Sequence, residues 1–275
     1  MIYESYADVY SGIRKELAEN GDVVPSRIGE TKEILACKFT LTNPRARLGY
    51  HPDRGFNLPF AIAETVFDVT GINNVDYLAA FNNKVRDYSD NGYFFHGAYG
   101  PRVGPNLPQL IEELKNENSR RAVVSIYNTH DLFVNTKDVP CTLTLQFLIR
   151  ENKLHMIVSM RSNDFFWGLQ YDLFRFTMLQ EVLANELEID VGNYYHISGS
   201  MHVYEWHYEL LDNVKSMENV EMPPNDLVIS DYMNMVGPPY SGTLSLTGIP
   251  AILYKKQASL PKEELPYWSQ KFFKK

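Results

Sequence analysis

The spacing of apolar residues along the chain predicts four helices. Apolar positions recur every three or four residues over 3–20, 58–70, 107–116 and 171–188, as in a helix with one buried face. A shorter helix is expected over 74–85. Because 171–188 is the longest of these patterns and strongly apolar, we expect it to be a central buried helix.

Strand patterns occupy much of the remaining chain. Polar residues 150–153 separate two of them, which predicts a hairpin turn. Because strands and helices are mixed along the chain, the predicted fold class is α+β with a largely antiparallel or mixed sheet. Residues 87–104 predict a long ordered loop, and the tail from Lys255 predicts solvated surface. The predicted strands are 34–41, 122–127, 141–149, 153–161, 195–204 and 243–254.

Composition is typical of a globular protein. The chain has 275 residues, 44% hydrophobic and 22% charged, which fits a single domain over 1–275. Lys and Arg number 26 against 34 Asp and Glu, and the net charge of −8 disfavours a broad nucleic-acid-binding face. The sequence has no apolar run of about 18 residues, so no membrane span is expected. Two cysteines, Cys37 and Cys141, suit a reducing compartment, and we expect a cytoplasmic protein.

Several familiar cofactor motifs are absent from the sequence. It contains no GxxxxGK[ST], GxGxxG, CxxC or HExxH pattern, which disfavours the corresponding nucleotide loops and zinc sites. His202 and His207 are five residues apart, a spacing that suits neither one face of a helix nor one side of a strand. We therefore expect no metal site.

Cys141 and Arg161 are the first candidates for chemistry. If the two strands around residues 150–153 pair as a hairpin, Arg161 returns beside Cys141. A guanidinium near a thiol favours the thiolate, which is the nucleophilic form. Two plainer interpretations stay open: Cys141 as a small buried hydrophobe, and Arg161 as an ion-pair partner of Asp164 or Glu151.

A series of motifs occurs in a fixed order along the chain. They are Arg27-Ile28-Gly29-Glu30-Thr31, Glu64 in a helix before Gly71, Tyr99-Gly100, Asn118-Ser119-Arg120-Arg121, Pro140-Cys141-Thr142 with Gln146, Arg161-Ser162-Asn163-Asp164 with Gly168 and Asp172, and His202-x-Tyr204. In this order they resemble thymidylate synthase and the related pyrimidine nucleotide hydroxymethylases. The resemblance covers about residues 25–210, and the number of separate motifs makes it specific.

The resemblance implies a fold, an assembly and a reaction. The fold would be a mixed or antiparallel sheet packed against a long central helix, with a homodimer formed through the sheet and a divergent extension from about residue 211. The substrates would be a pyrimidine nucleoside monophosphate and 5,10-methylenetetrahydrofolate. Addition of the cysteine to C6 of the base would let C5 attack the one-carbon group.

The resemblance also implies a role for each matched residue. Cys141 would be the nucleophile, Glu64 would orient water and contact the folate, and Tyr99 would order the water that takes the C5 proton. The binding residues fall into two groups. The nucleotide would be held by Arg27, Arg161, Ser162, Asn163, Thr142, Gln146, His202 and Tyr204, and by Arg120 and Arg121 from a partner subunit. The folate would be held by Asp164, Gly168 and Glu64.

Two departures from the synthase pattern indicate the base. Synthases have His and Asn where this chain has Thr142 and Asp172, and both residues resemble deoxycytidylate hydroxymethylase. Cytosine shows an acceptor at N3 and a donor at N4, and a carboxyl group accepts from N4. Uracil shows the reverse pattern, which an Asn amide satisfies. Hydroxymethylation of dCMP or CMP is therefore expected, with water in place of hydride in the last step.

Other interpretations stay open. If Asp172 only caps or salt-bridges its helix, thymidylate synthase-type methylation or hydroxymethylation of dUMP remains. A silent nucleotide-binding relative is a third reading, disfavoured by the presence of Cys141, Glu64 and Tyr99 together. Residues 82–98 contain no Trp, although synthases have one before Tyr-Gly, and the chain end does not resemble the synthase ending that closes over the folate. The setting implied is cytoplasm, including that of a virus-infected cell.

Overall fold

The computed structural model describes residues 1–116, 118–236 and 248–273. The strands are β1 (Ile2–Tyr3), β2 (Asp22–Pro25), β3 (Glu30–Leu41), β4 (Leu48–Tyr50), β5 (Val123–Ser125), β6 (Thr142–Arg150), β7 (Lys153–Asp164), β8 (Asp190–Tyr204) and β9 (Glu218–Val220). The helices are α1 (Tyr6–Asn20), α2 (Leu58–Thr70), α3 (Val75–Ala79), α4 (Gly100–Val103), α5 (Leu107–Leu114), α6 (Gly168–Glu186), α7 (Tyr208–Asn213), α8 (Ile229–Val236) and α9 (Ile249–Ala258).

Seven strands of the described residues form one mixed sheet. Its order is β1-β3-β8-β7-β6-β5, with β2 paired to β3. β6 and β7 form the predicted antiparallel hairpin, whereas β7 and β8 run parallel. The predicted α+β class with a mixed sheet is therefore confirmed. A separate ladder joins β4 to β9.

Local sequence signals set the ends of the first long helices. Ser5 Oγ accepts a hydrogen bond from the Asp8 backbone N–H at 3.2 Å, and Asp8 Oδ2 accepts one from the Ser5 backbone N–H at 3.0 Å, so α1 begins with a capping box. At the start of α2, Asn57 Oδ1 accepts from Phe60 N at 3.2 Å. Gly71, at φ 74°, ends α2 in the left-handed region that glycine adopts without strain. α2 thus begins and ends where the sequence predicts.

The predicted central helix is α6, and it lies between the sheet and α2. Nearly all of its residues from Leu169 to Ala184 are buried, against β7, β8 and α2. Only three residues separate β7 from α6, so the first turn of α6 lies at the edge of the sheet where β7 and β8 end and β6 begins. Burial of this apolar surface fixes the position of that turn.

Some predicted elements are wrong. Of the predicted strand 243–254, residues 249–254 lie in α9, and residues 243–247 lie outside the described part of the chain. The tail from Lys255 is not only solvated surface, because Leu265 and Ser269 are buried in it. The predicted helix over 74–85 is interrupted, since Asn82 caps a new 3-10 turn after α3 has ended.

Candidate active site

A cavity of about 1010 Å³ opens beside the first turn of α6. Four predicted catalytic residues lie on its wall: Glu64, Tyr99, Cys141 and Asp172. Predicted folate-binding residue Gly168 also lines it. Aromatic rings form much of the remaining surface, which suits the stacking of flat ring systems. They include Phe60, Tyr88, Trp167, Tyr171, Phe272 and Phe273.

Cys141 lies under the Arg161 guanidinium, as the hairpin predicts. Arg161 Nη2 is 3.4 Å from Cys141 Sγ, and the guanidinium also donates to the backbone oxygens of Val139 and Pro140 at 3.0 and 2.9 Å. The described contacts of Arg161 are with backbone oxygens and the thiol, and Asp164 accepts from backbone N–H groups instead. The plainer interpretation of Arg161 as an ion-pair partner of Asp164 or Glu151 is therefore wrong for the described residues. Burial raises the pKa of the Cys141 thiol above its ordinary value, and Arg161 only partly opposes this rise. The expected thiolate is therefore the minor form of Cys141 at neutral pH.

Tyr99 and Thr142 meet next to the cysteine. The Tyr99 hydroxyl accepts a hydrogen bond from the Thr142 backbone N–H at 3.2 Å. Burial raises the pKa of Tyr99, so the phenol stays protonated and keeps a proton to donate toward the cavity. Thr142 is fully buried, and its Oγ1 has no hydrogen-bond partner among the described residues.

Glu64 shares an arginine with a second carboxylate of α2. Arg175 Nη1 donates to Glu64 Oε1 at 3.2 Å, while Nε and Nη2 of the same guanidinium donate to Asp68 at 2.9 and 2.6 Å. Burial raises the pKa of Glu64 to about 8, and the positive charge of Arg175 acts against this rise. Glu64 is therefore largely a neutral carboxylic acid at pH 7.

Asp172 is held by the end of β7. Asn163 Nδ2 donates to Asp172 Oδ2 at 2.7 Å. Burial raises the pKa of Asp172 to about 6, against the lowering effects of Arg175 and of the Asn163 hydrogen bond. A Cβ on Gly168 would lie 2.9 Å from Asn163 Nδ2, so a side chain there would displace this amide. Asp172 is thus neither an N-cap nor an ion-pair partner among the described contacts.

The predicted sugar- and phosphate-binding residues lie along the strand ends beside Cys141. Ser162 Oγ and His202 Nδ1 are 3.5 Å apart on the parallel strands β7 and β8. The His202 ring meets the Tyr204 ring edge-on, with centroids 5.1 Å apart. Arg27 is exposed on the loop between β2 and β3. Its positive charge acts to lower the pKa of the Cys141 thiol, against the larger effect of burial. Their roles toward a nucleotide stay predictions.

Neither those residues nor the remaining predicted ones, Gln146, Arg120, Arg121 and Asp164, line the cavity itself. Gln146 Nε2 donates to the backbone oxygen of Arg120 at 3.0 Å, and Arg121 pairs with Glu113 of its own chain at 3.1 Å. Asp164 Oδ1 accepts from the backbone N–H groups of residues 166 and 167, which shapes the turn into α6. These contacts show what each side chain does in the isolated chain.

The sequence reasoning missed Asp68, Arg175 and the wall formed by the chain end. Glu64 and Asp68 are four residues apart in a segment that is otherwise mostly apolar, so both face one side of α2. That pair, together with an arginine inside the apolar pattern of 171–188, could have predicted a buried cluster of charged side chains. Phe272 had no such signal, because only the fold brings it to Phe56, with ring centroids 5.7 Å apart.

Within the described ranges, no group of three or more His, Cys, Asp or Glu side chains is arranged to hold a metal ion. Likewise, no helix in those ranges combines the length and apolar character needed to cross a membrane.

Two phage proteins are similar to this chain over much of its length. The deoxyuridylate hydroxymethyltransferase of Bacillus phage SP01 is 31% identical over 257 residues, covering 85% of this chain and 66% of the phage protein. The protein of the same description from Pseudomonas phage M6 is 35% identical over 190 residues, covering 66% and 53%. The chain thus spans about half to two thirds of the length of these relatives.

A solved structure shares the fold. Thermostable thymidylate synthase A from Bacillus subtilis matches with a TM-score of 0.72 at 22% identity, over 83% of this chain and 91% of that one. The family described as thymidylate synthase matches residues 10–236, which is most of the chain. Together with the shared fold and the placement of Cys141 on the cavity wall, this match shows that the chain belongs to the thymidylate synthase family.

Proposed function

We propose that the protein hydroxymethylates C5 of a cytidine monophosphate, dCMP or CMP, with 5,10-methylenetetrahydrofolate and water. Membership of the family supports one-carbon transfer, and the names of the phage relatives support the hydroxymethyl group. The single observation that carries the choice of base is the carboxyl group of Asp172 on the same cavity wall as the Cys141 thiol.

The charge of Asp172 favours cytosine over uracil. With a pKa of about 6, most of this carboxyl is ionised at neutral pH and can only accept hydrogen bonds. Cytosine offers its N4 amino group as a donor, whereas uracil would turn its O4 lone pairs toward the negative charge. A mismatched buried polar pair costs about 1–3 kcal/mol, which is enough for a strong base preference.

The proposed reaction begins at Cys141. Its thiolate bonds to C6 of the base, the C5–C6 double bond moves its electron pair to C5, and C5 bonds to the one-carbon group that the folate supplies. Loss of the C5 proton and release of the folate leave an exocyclic methylene. Water adds to that carbon, its spare proton leaves, and the C6–S bond breaks to regenerate the thiolate. No hydride is needed, so the oxidation level of the carbon stays that of formaldehyde.

Three side chains would assist these steps. Arg161, 3.4 Å from Sγ, stabilises the thiolate once it forms. Tyr99 would order the water that receives the C5 proton, and Glu64 would orient the attacking water. The aromatic wall that includes Trp167 and Phe272 suits the folate ring system, and Gly168 lies on the same wall at the start of α6. Asp164 would contact the folate from the end of β7.

A homodimer formed through the sheet is part of the proposal. Leu35 on β3 and Ile197 on β8 are 72% and 42% exposed, on a sheet whose other face packs against α1 and α6. Exposed apolar residues on a sheet face are typical of an interaction surface. Arg120 and Arg121 of one subunit would then reach the nucleotide phosphate of the other. The proposed setting is the cytoplasm, including that of a phage-infected cell.

Hydroxymethylation of dUMP is the second candidate. It is favoured by the names of the phage relatives, which are deoxyuridylate hydroxymethyltransferases. A protonated Asp172 would present the donor that uracil O4 requires, so the two candidates differ in the protonation of one group.

One assay tests both candidates. Purified protein is incubated with 5,10-methylenetetrahydrofolate and, separately, dCMP, CMP and dUMP, and the products are identified by mass. A hydroxymethylated cytidylate supports the proposal. A hydroxymethylated or methylated uridylate alone would replace it with the second candidate or with a synthase.

A further inference from the structure

We infer that Arg175, oriented by Asp68, is the positioning residue that sets both the location and the charge of Glu64 in the cavity. This inference rests on the proposed function for the step it affects, the addition of water to the exocyclic methylene. Neither Arg175 nor Asp68 belongs to the matched motifs, so the inference adds residues to the site.

The direction of the Arg175 guanidinium is fixed by Asp68. Two of its nitrogens donate to the two oxygens of Asp68, at 2.9 and 2.6 Å, in the bidentate arrangement that suits the planar guanidinium. The third nitrogen, Nη1, donates to Glu64 Oε1 at 3.2 Å. The side chains of Arg175 and Glu64 are 10% and 13% exposed, so this bond is shielded from solvent.

A second contact holds Arg175 against the catalytic wall. Its guanidinium carbon lies 4.4 Å from the centre of the Tyr99 ring, within the range of a cation–π interaction. Arg175 therefore packs between α2 and the tyrosine that lies beside Cys141. Any change in its position would move Glu64, whose Oε2 is buried with no hydrogen-bond partner among the described residues.

The charges around Glu64 do not balance. Asp68 lies on its own helix, while α6 contributes Arg175, Asp172 and the Tyr171 hydroxyl. Tyr99 lies behind Arg175, and Lys256 of α9 lies on the same cavity wall. Two carboxylates compete for the one guanidinium, and Asp68 takes most of its hydrogen bonds. Arg175 therefore stabilises the ionised form of Glu64 less than that of Asp68. This agrees with the pKa of Glu64, which burial raises and Arg175 only partly lowers.

Removing the charge of Asp68 should release Arg175 to stabilise ionised Glu64. If ionised Glu64 accepts a proton from the attacking water, hydroxymethyl formation rises with pH as Glu64 ionises. In Asp68→Asn this rise should move to lower pH by roughly one unit, the size of the effect of a nearby charge. KM for the nucleotide should change little, because Asp68 acts through Arg175 on Glu64.

The matched control is Glu181→Gln. Glu181 is a fully buried carboxylate on the same helix as Arg175, and neither it nor its partners Arg45 and Arg47 line the cavity. Its substitution should lower the thermal stability and leave the pH of the rise unchanged. Arg175→Lys keeps the charge without the planar fork, and we expect kcat to fall at least tenfold with little change in the pH of the rise.

The ionisation of Glu64 can be followed without turnover by infrared difference spectroscopy of its carboxyl band. A band that titrates above neutral pH, is lost in Glu64→Gln and titrates at lower pH in Asp68→Asn is expected. An unmoved band would overturn the inference, as would an unmoved pH profile in a folded Asp68→Asn. If that variant does not fold, an Arg175→Lys enzyme with wild-type kcat would overturn it.

Absence of any hydroxymethylated product in the wild type would instead overturn the proposed function, and the infrared measurement would still decide the inference.

Discussion

Asn163 and Asp172 are joined by a 2.7 Å hydrogen bond that links the end of β7 to the first turn of α6. Asn163 is 2% exposed, so its amide is held in place by the surrounding protein. The bond occupies one oxygen of Asp172 with a donor and favours the ionised carboxyl. The base-reading group proposed here is thus a carboxylate whose orientation is fixed before any nucleotide binds.

Substitution of Asp172 by Asn tests the choice of base. The amide can present a donor to uracil O4, so activity on the cytidylate should fall and relative activity on dUMP should rise. We expect the ratio of kcat/KM for the two bases to change by roughly tenfold to more than a hundredfold, which corresponds to about 1–3 kcal/mol. Asp131→Asn is the control, because Asp131 is a buried partner of Arg102 that does not line the cavity. An unchanged ratio would mean that Asp172 is structural.

The base preference should also depend on pH. Asp172 has a pKa raised to about 6, so its carboxyl becomes protonated as the pH falls through that value. The protonated group can donate to uracil O4 and still accept from cytosine N4. Turnover of dUMP relative to the cytidylate should therefore rise below pH 6 and become constant well above it. The measurement is the kcat/KM ratio across this range, and the ratio should be flat in Asp172→Asn. A flat ratio in the wild type would contradict the assignment.

Replacement of Cys141 by Ser tests the covalent step. Serine is a far weaker nucleophile at neutral pH, whereas the sulfur contributes little to nucleotide binding. We expect turnover to be abolished while the fold and the nucleotide affinity stay nearly intact, as measured by product formation, circular dichroism and calorimetry. Cys37→Ser is the matched control, since Cys37 is a buried residue of β3 that does not line the cavity. More than a few per cent of wild-type turnover in Cys141→Ser would exclude the covalent mechanism.

The sequence predicts the parts of this fold that depend on local periodicity. The bounds of α2 and the pairing of β6 with β7 follow from apolar spacing, caps and a turn. The parallel pairing of β7 with β8 does not, because it joins strands on either side of α6 and is decided by tertiary packing. The same limit applies to α9, whose apolar residues fit a strand or a helix until their packing against α2 is known.

The sequence likewise predicts some properties of the site and not others. Residues inside contiguous motifs, such as Cys141 and Asp172, can be placed from the sequence because their order matches a known family. The charge of Glu64 cannot, because it depends on Asp68 and Arg175 and on how deeply all three are buried. Likewise, the hairpin predicts that Arg161 lies close to Cys141. The raised pKa of the thiol could not be predicted, because it depends on how deeply the folded chain buries Cys141.

Sharing of arginines across a homodimer is the last prediction, and complementation tests it. In the isolated chain the Arg121 side chain is 80% exposed and donates to both carboxylate oxygens of Glu113 at 3.1 Å, a surface ion pair of small energetic value. An Arg121→Ala subunit and a Cys141→Ser subunit should each be nearly inactive as homodimers. If Arg121 serves the partner's site, a mixed dimer has one site that carries both lesions and one that carries neither. Mixed dimers isolated with two different affinity tags should therefore recover up to half of the wild-type activity per dimer. If verified mixed dimers stay inactive, Arg121 acts within its own chain.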